Sequence, residues 1–506
     1  THDVIRQQRG NTQIYYQPTD TIQIDETYHY RLRSDAANLE LRYEDNSNRN
    51  YISNRFTMDG EINHGRSEEL GQTLRTSRLS AGNYFNLIRN RENSTWEFRS
   101  ATQYAYQPAS LLLEEGKSKF NQHSFYTDNS AAYLRKYNGF TQQYKVGIQG
   151  ERATMKYTPP TQPNDFNASN LSLYFNPYFQ LQRGKWLATL SLALKAQRYF
   201  SQQRSFLFFN PSTYLRYKLD YHWTFSLYGS LKRSAGDFSD LYPGLYQTDY
   251  RTWRSGNGLF PTSTTQTYNL YGEYKNTVQE FFVTASLTYS RSNRNTLFEQ
   301  SVSENAIVYT RRELPNHSDS WNLSSTLSKG IYDWHLKTSL TLLLSRSNGE
   351  QLTRLTDSDP QSLLQTYRYD YLKAEPKIIW SPADLFEAEY HATLGYGGSK
   401  IGSDTHLSPL LDFVQRLHLT FSIGQIDLRL SGEHYRSDLG EHTHLNTVFA
   451  DASLIYKRKK WRLEVSLNNL FNKKKYAYTT YSATQSYTSQ LNIRPREAMA
   501  TVNYQF

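Results

Sequence analysis

A strict two-residue alternation at the C-terminal end constrains this chain more than any other feature. From Ala498 onward, Ala498, Ala500, Val502, Tyr504 and Phe506 fall on one side, while Met499, Thr501, Asn503 and Gln505 fall on the other. Successive side chains of a strand point to opposite faces, so the segment turns an apolar face to one medium and a mostly polar face to another. The alternation runs to the last residue, an aromatic one, where a soluble domain ordinarily frays into a polar tail. Order up to the final residue is expected where a sheet closes on itself and leaves no edge.

The same pattern recurs upstream. Trp461, Leu463, Val465 and Leu467 alternate with Arg462, Glu464, Ser466 and Asn468, and Ile426, Leu428 and Leu430 alternate with Asp427, Arg429 and Ser431. Trp334, Leu336, Leu340, Leu342 and Leu344 lie opposite His335, Lys337, Ser339 and Thr341. Phe281 to Tyr289, Trp223 to Leu227 and Trp186 to Leu194 repeat the arrangement. Charges on the second face cannot sit unpaired in a dry core, so that face borders water. Trp186, Trp223, Trp334 and Trp461 open four of these strands, where an aromatic girdle at a membrane interface is expected.

Composition excludes the competing classes. The 506 residues include 42 Tyr and 25 Phe, yet the mean hydropathy is −0.75. Disordered chains are poor in aromatics, and no apolar run reaches the roughly 18 residues of a helical span. A transmembrane β-barrel reconciles the two facts, because only alternate residues face lipid. Absence of Cys rules out a disulfide framework and a thiolate metal site. The net charge is +10, but Lys and Arg are spread along strands and turns, so no nucleic-acid surface is expected.

Connections alternate between two lengths. Short ones fall at Arg183-Gly184, Asp220-Tyr221-His222, Lys275-Asn276-Thr277, Lys329-Gly330, Gly424-Gln425 and the basic turn Lys457 to Lys460, with further hairpin turns at Asn138-Gly139 and Asp45 to Arg49. Long ones fall at about 234–263, 292–317, 346–364, 432–446 and 472–490. The expected fold is all-β: a transmembrane antiparallel β-barrel of about 22 strands, with short periplasmic turns and long extracellular loops. Residues 1–506 read as one outer-membrane barrel domain, with 1–21 a periplasmic lead-in before a first strand near Ile22 or Leu39. Thr1-His2-Asp3 offers neither an initiator Met nor a basic n-region, which suggests a mature, cleaved or trimmed product.

Asn468-Asn469-Leu470-Phe471-Asn472-Lys473, then Ile493-Arg494-Pro495-Arg496 and a strand ending in Phe506, resemble the C-terminal end of TonB-dependent outer-membrane receptors. Asn210-Pro211-Ser212, Leu241-Tyr242-Pro243-Gly244 and the segment Leu41 to Tyr51 are similar to Bacteroidota members of that family. The resemblance covers most of the chain as a barrel. It implies a multi-pass protein of the bacterial outer membrane, surrounded by lipid, that takes up a ligand actively. It also implies an N-terminal plug in the lumen, displaced by a TonB-type energy-coupling protein, and a surface lipoprotein partner. Phe506 with Tyr504 would then be the membrane-assembly signal. Too few residues precede the first expected strand for a packed plug, so the plug is expected to be absent, removed or a separate chain. A non-transporting scaffold subunit of a larger outer-membrane complex, its lumen filled by a partner protein, is the alternative. A passive porin fits least, since barrels of about 22 strands are normally plugged.

Candidate chemistry is sparse. No Ser-His-Asp set, phosphate loop or nucleotide fingerprint is present, so neither an enzyme nor a cofactor is expected. Glu433, His434, Asp438, Glu441, His442 and His444 contain a His-x-His with carboxylates that suits Zn or Cu, but polar residues at a wet strand end account for it more simply. Glu68-Glu69 and Glu114-Glu115 read as loop charges, because neighbouring strand residues point apart. Asp237 with Asp240, and Asp357 with Asp359, lack calcium-loop spacing. The aromatic connection Tyr242, Tyr246, Tyr250, Trp253 and Phe260 suits two roles: stacking a sugar or peptide ligand in an extracellular loop, or packing on itself to stiffen that loop.

Overall fold

The computed structural model describes residues 2–16, 21–67, 71–114, 116–158, 164–303, 306–354, 362–402, 405–406, 409–440, 443–482 and 484–505. Apart from two 3-10 turns, Phe238–Leu241 and Tyr332–Trp334, the described elements are strands joined in one 27-stranded sheet. Neighbouring hairpins pair antiparallel from the N-terminal end to the C-terminal end. The first strand, His2–Tyr16, corrects the expectation of a lead-in over 1–21. It is paired on both edges, with residues 21–35 on one side and 485–491 on the other. Its central run, Arg6 to Gln13, is polar apart from Gly10, so alternation does not reveal it. Ladder hydrogen bonds to two neighbours hold it instead.

Turn chemistry was readable. Asn138 and Gly139 both take positive φ, 43° and 79°, as a type I′ hairpin turn requires. A Cβ on Gly139 would meet the Gln182 carbonyl oxygen at 2.5 Å, so only Gly fits. Turns also fall at 47–49, 184–185, 220–222, 277–280, 424–425 and 459–460, close to their expected places. Lys329-Gly330 does not turn. It lies within the strand Ile307–Ile331, and the reversal comes at Tyr332 to His335, where His335 takes φ 49°. Trp334 therefore sits in a turn and opens no strand.

Most of the expected long loops are protruding hairpins. Strands Phe281–Val302 and Ile307–Ile331 continue through 292–317 except at the tip, and Ile426–Gly440 with Thr443–Arg458 fill most of 432–446. Lys475–Tyr481 and Gln485–Asn492 occupy most of 472–490. These segments carry polar residues on both faces without sustained alternation, which hides a strand from a search for that pattern. A membrane-crossing strand takes about 10 residues, so strands of 22 and 25 residues extend well beyond an apolar band. Glu68, Glu69, Glu115, Asp357, Asp359, Glu441, His442 and Phe506 lie outside the described residues.

The two faces differ as the alternation demands. Leu215, Leu227, Leu270, Leu287, Leu323, Leu344 and Leu372 are successive cross-strand partners, forming an apolar row across neighbouring strands. The first six are 36% to 55% exposed, an apolar ridge that a water-facing surface rarely carries. Aromatic pairs flank it: Trp186–Tyr217 (4.3 Å), Trp223–Tyr274 (4.8 Å) and Trp461–Tyr504 (4.6 Å) near the short turns, and Tyr289–Trp321 (4.5 Å) on the far side. Tyr268 to Tyr274 spans about 20 Å along one strand, comparable with the roughly 25 Å apolar band of a membrane barrel. The opposite face carries ion pairs, among them Lys457–Asp427 (2.6 Å), Lys377–Glu389 (2.7 Å), Lys373–Glu375 (2.8 Å) and Arg462–Glu464 (3.1 Å).

Candidate functional site

At the end bearing the longer connections, the chain folds over its own polar face. The hairpin Phe281–Val302 with Ile307–Ile331 shifts register between Arg294 and Thr296, the kind of irregularity that bends a strand pair. Beyond the bend, residues 307–310 pair with 299–302 and take Thr252–Ser255 in parallel on their other edge. Thr252–Ser255 also pairs with Leu245–Gln247, and 299–301 pair in parallel with 352–354. The result is a small mixed layer in the order 245–247, 252–255, 307–310, 299–302, 352–354. Parallel pairing cannot arise from a tight hairpin, so these segments meet only because the connection 236–261 crosses over to them.

That connection is held by apolar contact at its base. Phe238, Leu241, Tyr242 and Phe260 are buried with Ala153, Met155, Tyr157, Ala168 and Tyr199. These wall residues alternate with the exposed Val146, Ile148, Leu171 and Leu194, so they belong to the otherwise polar face, which becomes apolar where the connection lands. Ring contacts fix the seating: Tyr199–Phe260 at 4.7 Å, Phe206–Phe260 at 5.0 Å and Phe120–Tyr246 at 5.7 Å. A second apolar cluster joins Tyr15 and Ile24 of the first two strands to Val302 and Ile307 of the bent hairpin.

Charges lock the tip. Asp249 accepts the backbone N–H of Arg251 (2.9 Å) and of Thr252 (2.7 Å), shaping the turn. Arg251 then pairs with Glu26, the Tyr250 hydroxyl donates to the same carboxylate, and the Tyr250 N–H donates to Gln72 (3.2 Å). Arg311 donates to Asp240 (2.5 Å) and Thr296 (3.1 Å), and both Arg254 and Arg311 lie over the Phe298 ring at 4.7 and 4.4 Å. Burial lowers the pKa of Arg251 and raises that of Tyr250, beside which Asp249 adds to the rise. Burial also pushes Glu299 up, yet the Ser362 hydroxyl and Arg312 (2.6 Å) outweigh it and hold the carboxyl below its ordinary value.

Two cavities border this layer. One of about 350 Å³ is lined by Arg9, Asn11, Glu26, Tyr28, Tyr250 and Arg251. The other, of about 590 Å³, is lined by Asp240, Arg254, Phe298, Arg311, Glu350 and Ser482. Both mix carboxylates and guanidinium groups with rings, a lining suited to a polar ligand with a flat face.

Of the aromatic residues singled out in sequence, Tyr242 and Phe260 are buried against the sheet wall. Trp253 stands opposite Val308 within the mixed layer, and Tyr250 borders the smaller cavity. Glu26, Gln72, Glu299 and Arg311 escaped sequence reading, because no spacing rule links Glu26 to a residue 225 positions away. The described members of the His and carboxylate group do not assemble. Glu433 pairs with Arg416 (3.2 Å), His434 contacts Gln415 (3.1 Å) on the other face, and Asp438 accepts the Leu411 N–H (3.0 Å). Among the described residues, no three His, Cys, Asp or Glu side chains could hold a metal ion. Asp240 is engaged by Arg311 and does not join Asp237 in a cation site.

No known protein family and no curated protein sequence matches the chain. Its fold is similar to that of the copper transporter OprC, with a TM-score of 0.52 and 9% identity over 98% of this chain and 80% of that one. The outer membrane transporter YddB from Escherichia coli (TM-score 0.49, 9% identity, 96% of this chain and 70% of that one) is also similar. So is the siderophore receptor PirA from Pseudomonas aeruginosa (TM-score 0.48, 11% identity, 97% and 80%). At such identity the likeness to OprC shows the fold alone. These neighbours are transporters and receptors, not enzymes.

Proposed function

We propose that this chain is a receptor-type transport barrel of the bacterial outer membrane, which admits a ligand through a mouth that its own segments cover. The mixed layer over the polar face carries the reading, because a passive pore has no use for a cover locked by buried ion pairs. Closure of the sheet is supported by the first strand, paired on both edges. A count of about 22 wall strands is supported when Lys475–Tyr481 continues Trp461–Asn468, Glu497–Tyr504 continues Gln485–Asn492, and the three short strands outside the wall are set aside. An even count puts both termini on the short-turn side, the periplasm, and the covered mouth outside the cell.

Trp186, Trp223 and Trp461 act as interface anchors in this account, and Tyr504 with Phe506 as the assembly signal. Tyr250 and Trp253 are the first aromatic contacts offered to an incoming ligand. A plug domain or partner protein occupies the lumen beneath the layer, and a TonB-type coupling protein and a surface lipoprotein complete the Bacteroidota-type assembly. Support for the filler comes from the inward ion pairs, which suit a polar, hydrogen-bonding occupant.

Planar-bilayer conductance tests the reading. The intact chain should pass little current, and replacing 245–255 with a short Gly-Ser linker should raise it several-fold. A large steady current from the intact chain, unchanged by that deletion, would show that the layer does not cover the mouth and would remove the observation that carries this reading.

A further inference from the structure

We propose that the outer wall carries a site for an acylated, phosphate-bearing glycolipid of the outer leaflet. This rests on the outer-membrane reading above. The site is a groove of about 1000 Å³ across the strands Phe281–Val302, Ile307–Ile331, Leu336–Arg354, Ser362–Ala383 and Phe386–Ile401. Its apolar part is the leucine row itself: Leu287, Leu323, Leu344 and Leu372, extended by Tyr396, the cross-strand partner of Leu372. Saturated chains laid along this row meet aliphatic side chains on four strands and an aromatic ring on the fifth.

One step toward the mouth, the lining changes sign. Arg346, the cross-strand partner of Trp321, is followed by Arg368 and Lys400, themselves partners. Arg346 and Arg368 both reach Asp370 through Nε, at 2.6 and 2.9 Å. One carboxylate thus stands against three cations, which leaves the patch with a net charge of about +2. Each guanidinium has five N–H donors, so both keep donors for an anion after meeting Asp370. Height fits as well, since Tyr289 and Trp321 mark the interface at this level.

Above Leu227 and Leu270 the corresponding positions are Gly229 and Tyr268, which offer no charge. A general attraction to lipid would not need three cations over one stretch of the row. A phosphate held by Arg346, Arg368 and Lys400, with its acyl chains on the leucines below, uses every part of the groove. The three cations and the width of five strands favour a multiply phosphorylated, multiply acylated headgroup over a two-chain phospholipid.

The test uses the full chain reconstituted in phosphatidylcholine vesicles, with folding followed by heat-modifiable gel mobility. Bisphosphorylated lipid A, its dephosphorylated form and phosphatidylglycerol are offered separately, and retained lipid is counted by native mass spectrometry. Dephosphorylated lipid A should be retained at least about tenfold less than lipid A. The variant Arg346→Gln/Arg368→Gln/Lys400→Gln with Asp370→Asn should lose lipid A by a similar factor while folding normally. Equal retention by the variant, or of the dephosphorylated lipid, would overturn the site with the barrel reading intact. Phosphatidylglycerol held as well as lipid A would overturn the assignment to a glycolipid. Failure of the unaltered chain to enter vesicles at all would overturn the membrane reading, and this proposal with it.

Discussion

Arg251 and Glu26 are 225 residues apart in the chain and form one ion pair where the connection 236–261 meets the second strand, Thr21–Asn46. Arg251 is 4% exposed, and Glu26 also accepts the Tyr250 hydroxyl, so the pair is nearly sealed from water. Its members come from the crossing connection and the second strand, and it acts as a latch for the layer over the polar face.

Breaking the latch from one side leaves a buried charge unmatched. Arg251→Ala should weaken closure of the layer by about 3 kcal/mol, the lower end for buried pairs because Glu26 keeps some water contact. Hydrogen exchange at 245–255 should speed up while the wall strands stay protected. Replacing both partners, Arg251→Met with Glu26→Gln, should restore part of the protection. Unchanged exchange in Arg251→Ala would show that the apolar base alone holds the connection.

Which parts of this arrangement were legible in sequence follows from the medium each residue faces. Leu190, Phe225 and Val465 announce their strands because lipid on one side and water on the other force alternation. Arg6 to Gln13 of the first strand and much of the longer hairpins show no sustained apolar alternation, so their side chains do not mark a strand. Asn138-Gly139 was readable because its positive φ values demand those residue types. Met155 and Tyr157 look like ordinary strand residues, and only the fold shows that they are the landing site for Phe238 and Tyr242.

Face assignment predicts unequal tolerance at neighbouring positions. Leu190, on the apolar face, is 40% exposed, whereas Ser191 bonds Asn176 (2.8 Å) on the polar face. Leu190→Arg should cost about 2–4 kcal/mol in folding titrations into vesicles, and Ser191→Arg should cost less than about 1 kcal/mol. Equal costs would mean that the two faces do not meet different media.

Gly147 leaves room for the ring of its cross-strand partner Tyr174, whose hydroxyl donates to Asp128 (2.8 Å). A Cβ at 147 would come within 2.3 Å of that ring. Gly147→Ala should therefore destabilise the wall by about 1–3 kcal/mol, read from urea titration, and Tyr174→Leu in the same background should recover part of the loss. A neutral Gly147→Ala would show that the ring moves aside without cost.

Glu299 supplies a pH dependence. Its carboxyl is held below the ordinary value, so its contribution is complete above the unfolded-state value near about 4.3. That contribution is lost as pH falls through the lowered folded value. Proteolysis or exchange at 296–313 should stay constant from pH 7 to 5 and rise below about pH 4, and Glu299→Gln should remove this acid step. Loosening on raising the pH would contradict the sign.

Closure of the sheet between its first strand and its C-terminal hairpin underlies the whole account, and the chain's lack of cysteine makes it directly measurable. Asn11 lies opposite Ser489 in that pairing. The double variant Asn11→Cys with Ser489→Cys, assembled in membranes and oxidised, should form an intramolecular disulfide in most molecules. A control with Asn11→Cys and Gln485→Cys, four residues out of register, should form little. Efficient cross-linking in register alone is the predicted result, while none at Asn11 and Ser489, or equal yields in both pairs, would contradict a closed barrel.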